Sequence, residues 1–206
     1  LGFAPEDRRS WAWTTPAGAR VNVDAWAGVG APSPWVDDGG RVAVLAGHVH
    51  PRGRTAGPPG TWASHVSALG PAPSAATIAD RLVGVFAALV LDGEGRGWVG
   101  ADPLGLRSLY NGSRGGRVAV ASRAALVAGA LGTPGRGDRA ATWLAALGYH
   151  VGTATGYDAV DLLAPGAVVR IDDGEARVEV RHPFAEPPSP GTVEDAADVL
   201  VEEVGA

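Results

Sequence analysis

Apolar and polar positions alternate with a period of two through much of this chain, which predicts a protein built chiefly of strands. Trp11 and Trp13 stand between small residues, as on a strand with one covered face. Residues 20–26 repeat the pattern, with Val21, Val23 and Ala25 on one side. Residues 41–49 form another strand, and 85–91 is an apolar run of strand length. Asp92-Gly93-Glu94-Gly95 offers the left-handed positions of a tight hairpin, and 97–101 returns as its second arm. Farther on, 117–121 is β-rich, while 167–171 and 176–181 pair about Asp172-Asp173-Gly174-Glu175. Gly112-Ser113-Arg114-Gly115-Gly116 joins two strands with no helix after it, so it reads as a hairpin loop and not a phosphate loop.

Helical signals are fewer. A short helix is predicted over 62–69, inside a stretch (51–73) rich in Pro, Gly, Ser and Ala. Ser74 caps a helix running to about Leu82, with Ile78, Leu82 and Val83 apolar. Ser122 caps another through Leu131, and Asp138 opens a third over 139–147, stopped by Gly148. Pro32-Ser33-Pro34 and Asp37-Asp38-Gly39-Gly40 bracket a loop holding Trp35. Asp102-Pro103-Leu104-Gly105 is turn chemistry, Pro fixing φ and Gly free to turn left-handed. Residues 183–190 carry four prolines, a stiff linker. Beyond it, 192–204 is amphipathic: Thr192 caps, Glu194 and Asp195 occupy the first turn, and Val193, Ala197, Leu200, Val201 and Val204 share a face.

Four segments occur in a telling order. Gly84-Val85-Phe86-Ala87 is followed by Ala101-Asp102-Pro103-Leu104-Gly105-Leu106-Arg107-Ser108-Leu109-Tyr110, then by Val120-Ala121-Ser122-Arg123 and by residues 155–166, ending Leu163-Ala164-Pro165-Gly166. Together they resemble the N-terminal glutaminase-like domain (class II glutamine amidotransferase, Ntn type) of the asparagine synthetase family, over roughly residues 40–185. Members carry a G-x-F-A strand, an R-D-x-x-G-x-x-P-L-Y turn, an F-A-S-E segment entering a helix, and a T-x-x-x-x-V-x-x-L-x-P-G segment. The resemblance implies an α/β (α+β) fold, a four-layer αββα sandwich of two mostly antiparallel sheets flanked by helices.

The departures matter as much. Glutamine-hydrolysing members attack the amide with an N-terminal cysteine, and this chain has no cysteine and opens with Leu1-Gly2-Phe3. The family's Asn-Gly pair, an oxyanion donor, falls near Ala46-Gly47, and losing one such donor typically costs about 3 kcal/mol of transition-state stabilisation. The Arg that begins the R-D-x-x-G turn is Ala101. The resemblance therefore implies a pseudo-glutaminase with no catalytic, cofactor-binding or metal residues. Relatives without the cysteine include β-lactam synthetases and lasso-peptide macrocyclases, which adenylate a carboxylate and use an amine of the substrate itself.

On this reading 1–182 is the glutaminase-like domain, 183–191 the Pro-rich linker, and 192–206 the start of a C-terminal synthetase domain on the same or a separate chain. ATP and Mg are expected in that synthetase domain, since no S-G-G-x-D-S loop occurs in these residues. The chain would then be one piece of an ATP-dependent amide-forming ligase. A peptide substrate and a homodimer are the other partners that fit. The alternative is a stand-alone peptide- or protein-binding module. A third class, an N-terminal-nucleophile hydrolase using Ser or Thr, finds Ser10 as its nearest candidate.

Composition narrows the classes further. With 22 acidic and 17 basic residues in 206 the net charge is -5, which argues against a nucleic-acid partner. No apolar run has the length of a membrane span and no secretory signal opens the chain, so a cytoplasmic location is the expectation. The chain holds no methionine, so Leu1 is read as lying downstream of the native start. His48 and His50 share one side of a strand, with His65 near in sequence, but arginines beside them favour hydrogen-bonded histidines over a metal site. Arg8, Arg9, Arg52 and Arg54 read as solvated surface charge before a grip for an acidic partner. Most of the seven tryptophans are expected in the core. Asp102 is read as a turn cap before a catalytic carboxylate.

Overall fold

A computed structural model describes residues 8–27, 35–38, 40–53, 62–133, 135, 138–147, 152–173 and 175–180. In chain order these form β1 (Arg8–Thr14), β2 (Arg20–Trp26), β3 (Trp35–Asp37), β4 (Arg41–Pro51), α1 (Trp62–Ser67), α2 (Ala75–Arg81), β5 (Leu82–Asp92), β6 (Gly97–Ala101), β7 (Tyr110–Arg114), β8 (Arg117–Ala121), α3 (Ala124–Leu131), α4 (Asp138–Leu147), β9 (Val160–Leu162), β10 (Ala167–Asp172) and β11 (Glu175–Val180). The fold is a sheet-dominated α+β fold. Its strands lie in three antiparallel sheets: a β1-β2 ribbon, a six-stranded sheet in the order β11-β10-β6-β5-β4-β3, and a three-stranded sheet β8-β7-β9.

Strand alternation sorts the side chains into layers. Ala43, Leu45 and Val49 of β4, with Leu82, Phe86, Ala88 and Val90 of β5, face α1 and α2 and pack on Val66 and Ile78. The residues between them, Ala87 and Leu89 of β5 with Val99 and Val169, face the other way and meet Val120 of β8. Beyond β7 and β8, Val127, Ala128 and Leu131 of α3 close the far side with Val160. The order through the core is helices, sheet, sheet, helix. Burying a Leu, Val or Phe side chain completely is worth roughly 1.5–3 kcal/mol, so the Phe86 and Val90 layer, both 0% exposed, anchors the central strand.

Two long-range ties hold α2. Its N-cap is Ser74, whose hydroxyl oxygen accepts from Thr77 N–H at 3.0 Å, as the sequence predicts. The Ala75 N–H donates to Glu179 Oε1 at 2.9 Å, which places a carboxylate from β11 at the positive end of the helix. At the other end the Arg52 guanidinium donates to the Asp80 and Ala79 carbonyls, each at 3.0 Å. Arg52 is thus a helix cap and not a free surface charge.

Several boundaries differ from the sequence reading. Trp35 does not sit in a loop. Val36 pairs with Ala43 and packs on the core, making β3 a strand too short to show alternation. Leu82 and Val83 belong to β5 and not to α2, because they pair with Pro51 and His50 at the end of β4. Ser122 does not cap α3; Arg123 holds the cap position without a side-chain bond, and the helix ends on left-handed Gly132. The short strand β9 had no periodic signal and is defined by its pairing with β7. Trp98 is wholly buried, its indole N–H donating to Gly70 O at 3.0 Å, whereas Trp11, Trp13, Trp35, Trp62 and Trp143 are each partly exposed. Trp11 and Trp35 are half-buried and meet edge to face at 5.9 Å. Gly148, Arg54, the 183–191 linker and the 192–204 segment lie outside the described residues.

Candidate functional site

Pairing registers bring together two segments that the sequence separates by more than fifty positions. Ala46 pairs with Ala87, and Ala87 with Ala101, so three alanines form one row across β4, β5 and β6. One position along, Gly47 pairs with Phe86, whose carbonyl accepts from Asp102 N–H at 2.8 Å. The row Ala46-Ala87-Ala101 belongs to the layer between the two sheets, where Ala87 and Ala101 are buried and Ala46 partly so. Every side chain in the row ends in a methyl group, so none of the three donates or accepts a hydrogen bond.

The strand backbone at this point is shaped by glycine. Gly47 has φ +107, and a Cβ built there would meet the Val85 carbonyl oxygen at 2.1 Å. Gly84 has φ +143 and would meet the His48 carbonyl oxygen at 2.3 Å. β4 and β5 therefore approach closely where they run on past the last β5-β6 pair, which is Ala87 with Ala101.

Asp102 organises the turn beside this row. It is 1% exposed, and its carboxylate accepts from Leu104 N–H at 3.1 Å, Leu106 N–H at 3.0 Å and Arg107 N–H at 2.9 Å. Its carbonyl accepts from Gly105 N–H at 2.9 Å and Gly166 N–H at 3.3 Å. A carboxylate committed to three backbone donors is a structural knot. This is the turn role that the position before Pro103 and Gly105 predicts. Gly105 has φ +66, and a Cβ there would lie 3.0 Å from Pro165 Cγ. Gly105→Val is expected to lower stability by about 1–3 kcal/mol in a thermal melt. An unchanged Tm would mean that this turn is not formed as described.

The remaining candidates are dispersed. His48 lies 6.0 Å from the Trp62 ring, and His50 Nδ1 is 3.3 Å from the Pro51 carbonyl. Among the described residues, no group of three His, Cys, Asp or Glu side chains could hold a metal ion. Arg8 donates to Asp24 at 2.7 Å, while Arg9 lies 3.7 Å from Asp37 and 5.8 Å from the Trp11 ring. Ser10 sits inside β1 with its hydroxyl donating to Asp24 Oδ1. That bond, with help from Arg8, holds the Asp24 carboxyl below the usual carboxylate range despite partial burial. Gly115-Gly116 is the two-residue turn between β7 and β8, both glycines left-handed. No helix among the described residues is long and apolar enough to cross a membrane.

Comparison with known proteins adds no assignment: no protein-family model matches the chain, and no curated protein matches it.

Proposed function

We propose that this chain is a non-hydrolytic, glutaminase-like scaffold that works with an ATP-using, amide-forming synthetase domain of the asparagine synthetase type. The observation that carries the reading is the alanine row. Ala46 stands where the resemblance expects an oxyanion-donating Asn, and Ala101 where it expects an Arg. Their registers place both on the row through Ala87. What supports the parentage is the company they keep: a glycine-shaped close approach at Gly47, the Asp102 turn beside it, and helices outside two layered sheets. The positions expected to hold and polarise a glutamine amide carry methyl groups. These 206 residues also supply no cysteine to attack it.

In this role the domain carries no chemistry of its own. No phosphate-binding loop occurs among these residues, so ATP and Mg would be bound by the synthetase domain. The substrate's own amine would then attack the adenylated carboxylate, which removes the need for ammonia and leaves the glutaminase row free to lose its polar groups. A second reading, a peptide- or protein-binding module, is favoured by Leu104 and Leu106. They are 60% and 63% exposed on the turn that Asp102 holds rigid.

The test is an assay of the purified protein for glutamate release from glutamine, alongside carboxylate-dependent exchange of pyrophosphate into ATP. The expected result is exchange with no glutamate above a buffer blank. Glutamate release that disappears on a single substitution in this chain would overturn the proposal. Absence of exchange in the protein as its gene encodes it would favour the binding module.

A further inference from the structure

The six-stranded sheet ends at β11, which pairs with β10 on one side and with nothing on the other among the described residues. In an antiparallel pair, every second residue points its N–H and C=O away from its neighbour, so such an edge offers a row of unmade backbone bonds. Charged side chains on an edge ordinarily discourage pairing with a further strand. On β11, Glu175-Ala176-Arg177-Val178-Glu179-Val180, the charges alternate in sign, and that changes the outcome for one partner in particular.

That partner is a second copy of the strand. Consider two β11 strands laid antiparallel about a two-fold axis through Val178. Val178 then faces Val178, Ala176 faces Val180, and Arg177 faces Glu179 twice. Opposite charges directly across a sheet are favourable, and like charges are not. Sliding the pair by two residues in the direction that puts Arg177 opposite Arg177 also sets Glu175 against Glu179. Sliding it the other way sets Glu179 against Glu179. Of these three registers, the one centred on Val178 satisfies the charges.

The two faces of the strand agree with this geometry. Val178 and Val180 pair with Val169 and Ala167, which lie in the layer between the sheets, yet they remain 50% and 49% exposed. Beside a second β11 they would continue that layer across the axis. Arg177 and Glu179 stand on the opposite face. The Arg177 side chain is 82% exposed and, among the described residues, pairs with exposed Glu175. Glu179 is held still by Ala75 N–H and by Arg170 Nε at 3.2 Å, so the acceptor in each cross-axis pair is already oriented. We propose that the chain forms a two-fold dimer through antiparallel pairing of its β11 edges, with Arg177 of each copy on Glu179 of the other. This does not depend on the function proposed above.

The absence of cysteine makes the register directly testable. Residues facing each other across an antiparallel ladder have Cα atoms roughly 4.5–5.5 Å apart, within disulfide reach. In the full chain, Val178→Cys should therefore cross-link to a dimer on mild oxidation, at least about tenfold faster than Ala176→Cys or Val180→Cys, which do not face themselves. Arg177→Glu should weaken dimerisation about tenfold in sedimentation equilibrium while leaving the circular-dichroism melt of the monomer in place. A wild-type chain that sediments as a monomer throughout the micromolar range would overturn the proposal. So would Ala176→Cys cross-linking as fast as Val178→Cys, or an association constant untouched by Arg177→Glu.

Discussion

Asp102→Ala is expected to destabilise the protein by about 3 kcal/mol, a fall in Tm of roughly 6–12 °C for a domain of this size. The physical reason is concentrated in one carboxylate. Asp102 is buried, and three backbone N–H groups donate to it at 2.9–3.1 Å. Alanine would leave those donors without their acceptor. Leu104, Leu106 and Arg107 are exposed residues, so water can recover part of the loss, which keeps the estimate below three full desolvation penalties. The damage should spread, because the same residue's backbone ties β6 to Phe86 of β5 and to Gly166 ahead of β10. Asp102→Asn keeps one carbonyl oxygen and should lose less. A catalytic carboxylate would show the reverse signature, with chemistry lost and stability kept. If Asp102→Ala melts with the parent protein, the turn is held by something other than this side chain.

How much of this was legible in the sequence depended on the span of each signal. The β5-β6 hairpin could be read because everything that makes it lies within five residues. Asp92 Oδ1 accepts from Glu94 N–H at 2.9 Å and from Arg96 N–H at 3.0 Å, and Gly95 turns at φ +76. These bonds and the Arg96 guanidinium outweigh the effect of partial burial and hold the Asp92 carboxyl below its ordinary range. Ser74 as a cap and Asp102 as a turn acceptor were legible for the same reason. Strands β3 and β9 were not, since each has three residues and exists by virtue of its partner. Glu179 capping α2 across 104 positions, and Arg52 closing the other end, lie beyond any local pattern. The candidate site divides along the same line. Ala46 and Ala101 could be singled out one at a time, but only the strand register puts them on one row.

Gly47→Ala should have the largest effect of any substitution considered, at least about 3 kcal/mol and enough to unfold a marginal domain. Two penalties combine there. A left-handed backbone costs a non-glycine residue of order 1–3 kcal/mol by itself. The new methyl would also lie 2.1 Å from the Val85 carbonyl oxygen, with Val85 C and Phe86 Cα at 3.1 and 3.2 Å. All three obstacles are backbone, so relief requires β5 to move, and β5 is the strand whose Phe86 and Val90 are 0% exposed. Gly53→Ala separates the two penalties. Gly53 has φ +74 with nothing within 4 Å of a built Cβ, so alanine there meets the conformational cost alone, about 1 kcal/mol. The difference between the two variants in a denaturant titration measures the close approach of β4 and β5. Equal losses at Gly47 and Gly53 would mean that the strands can part without cost. The backbone at Ala46-Gly47 would then be soft, and not a fixed ledge beneath the alanine row.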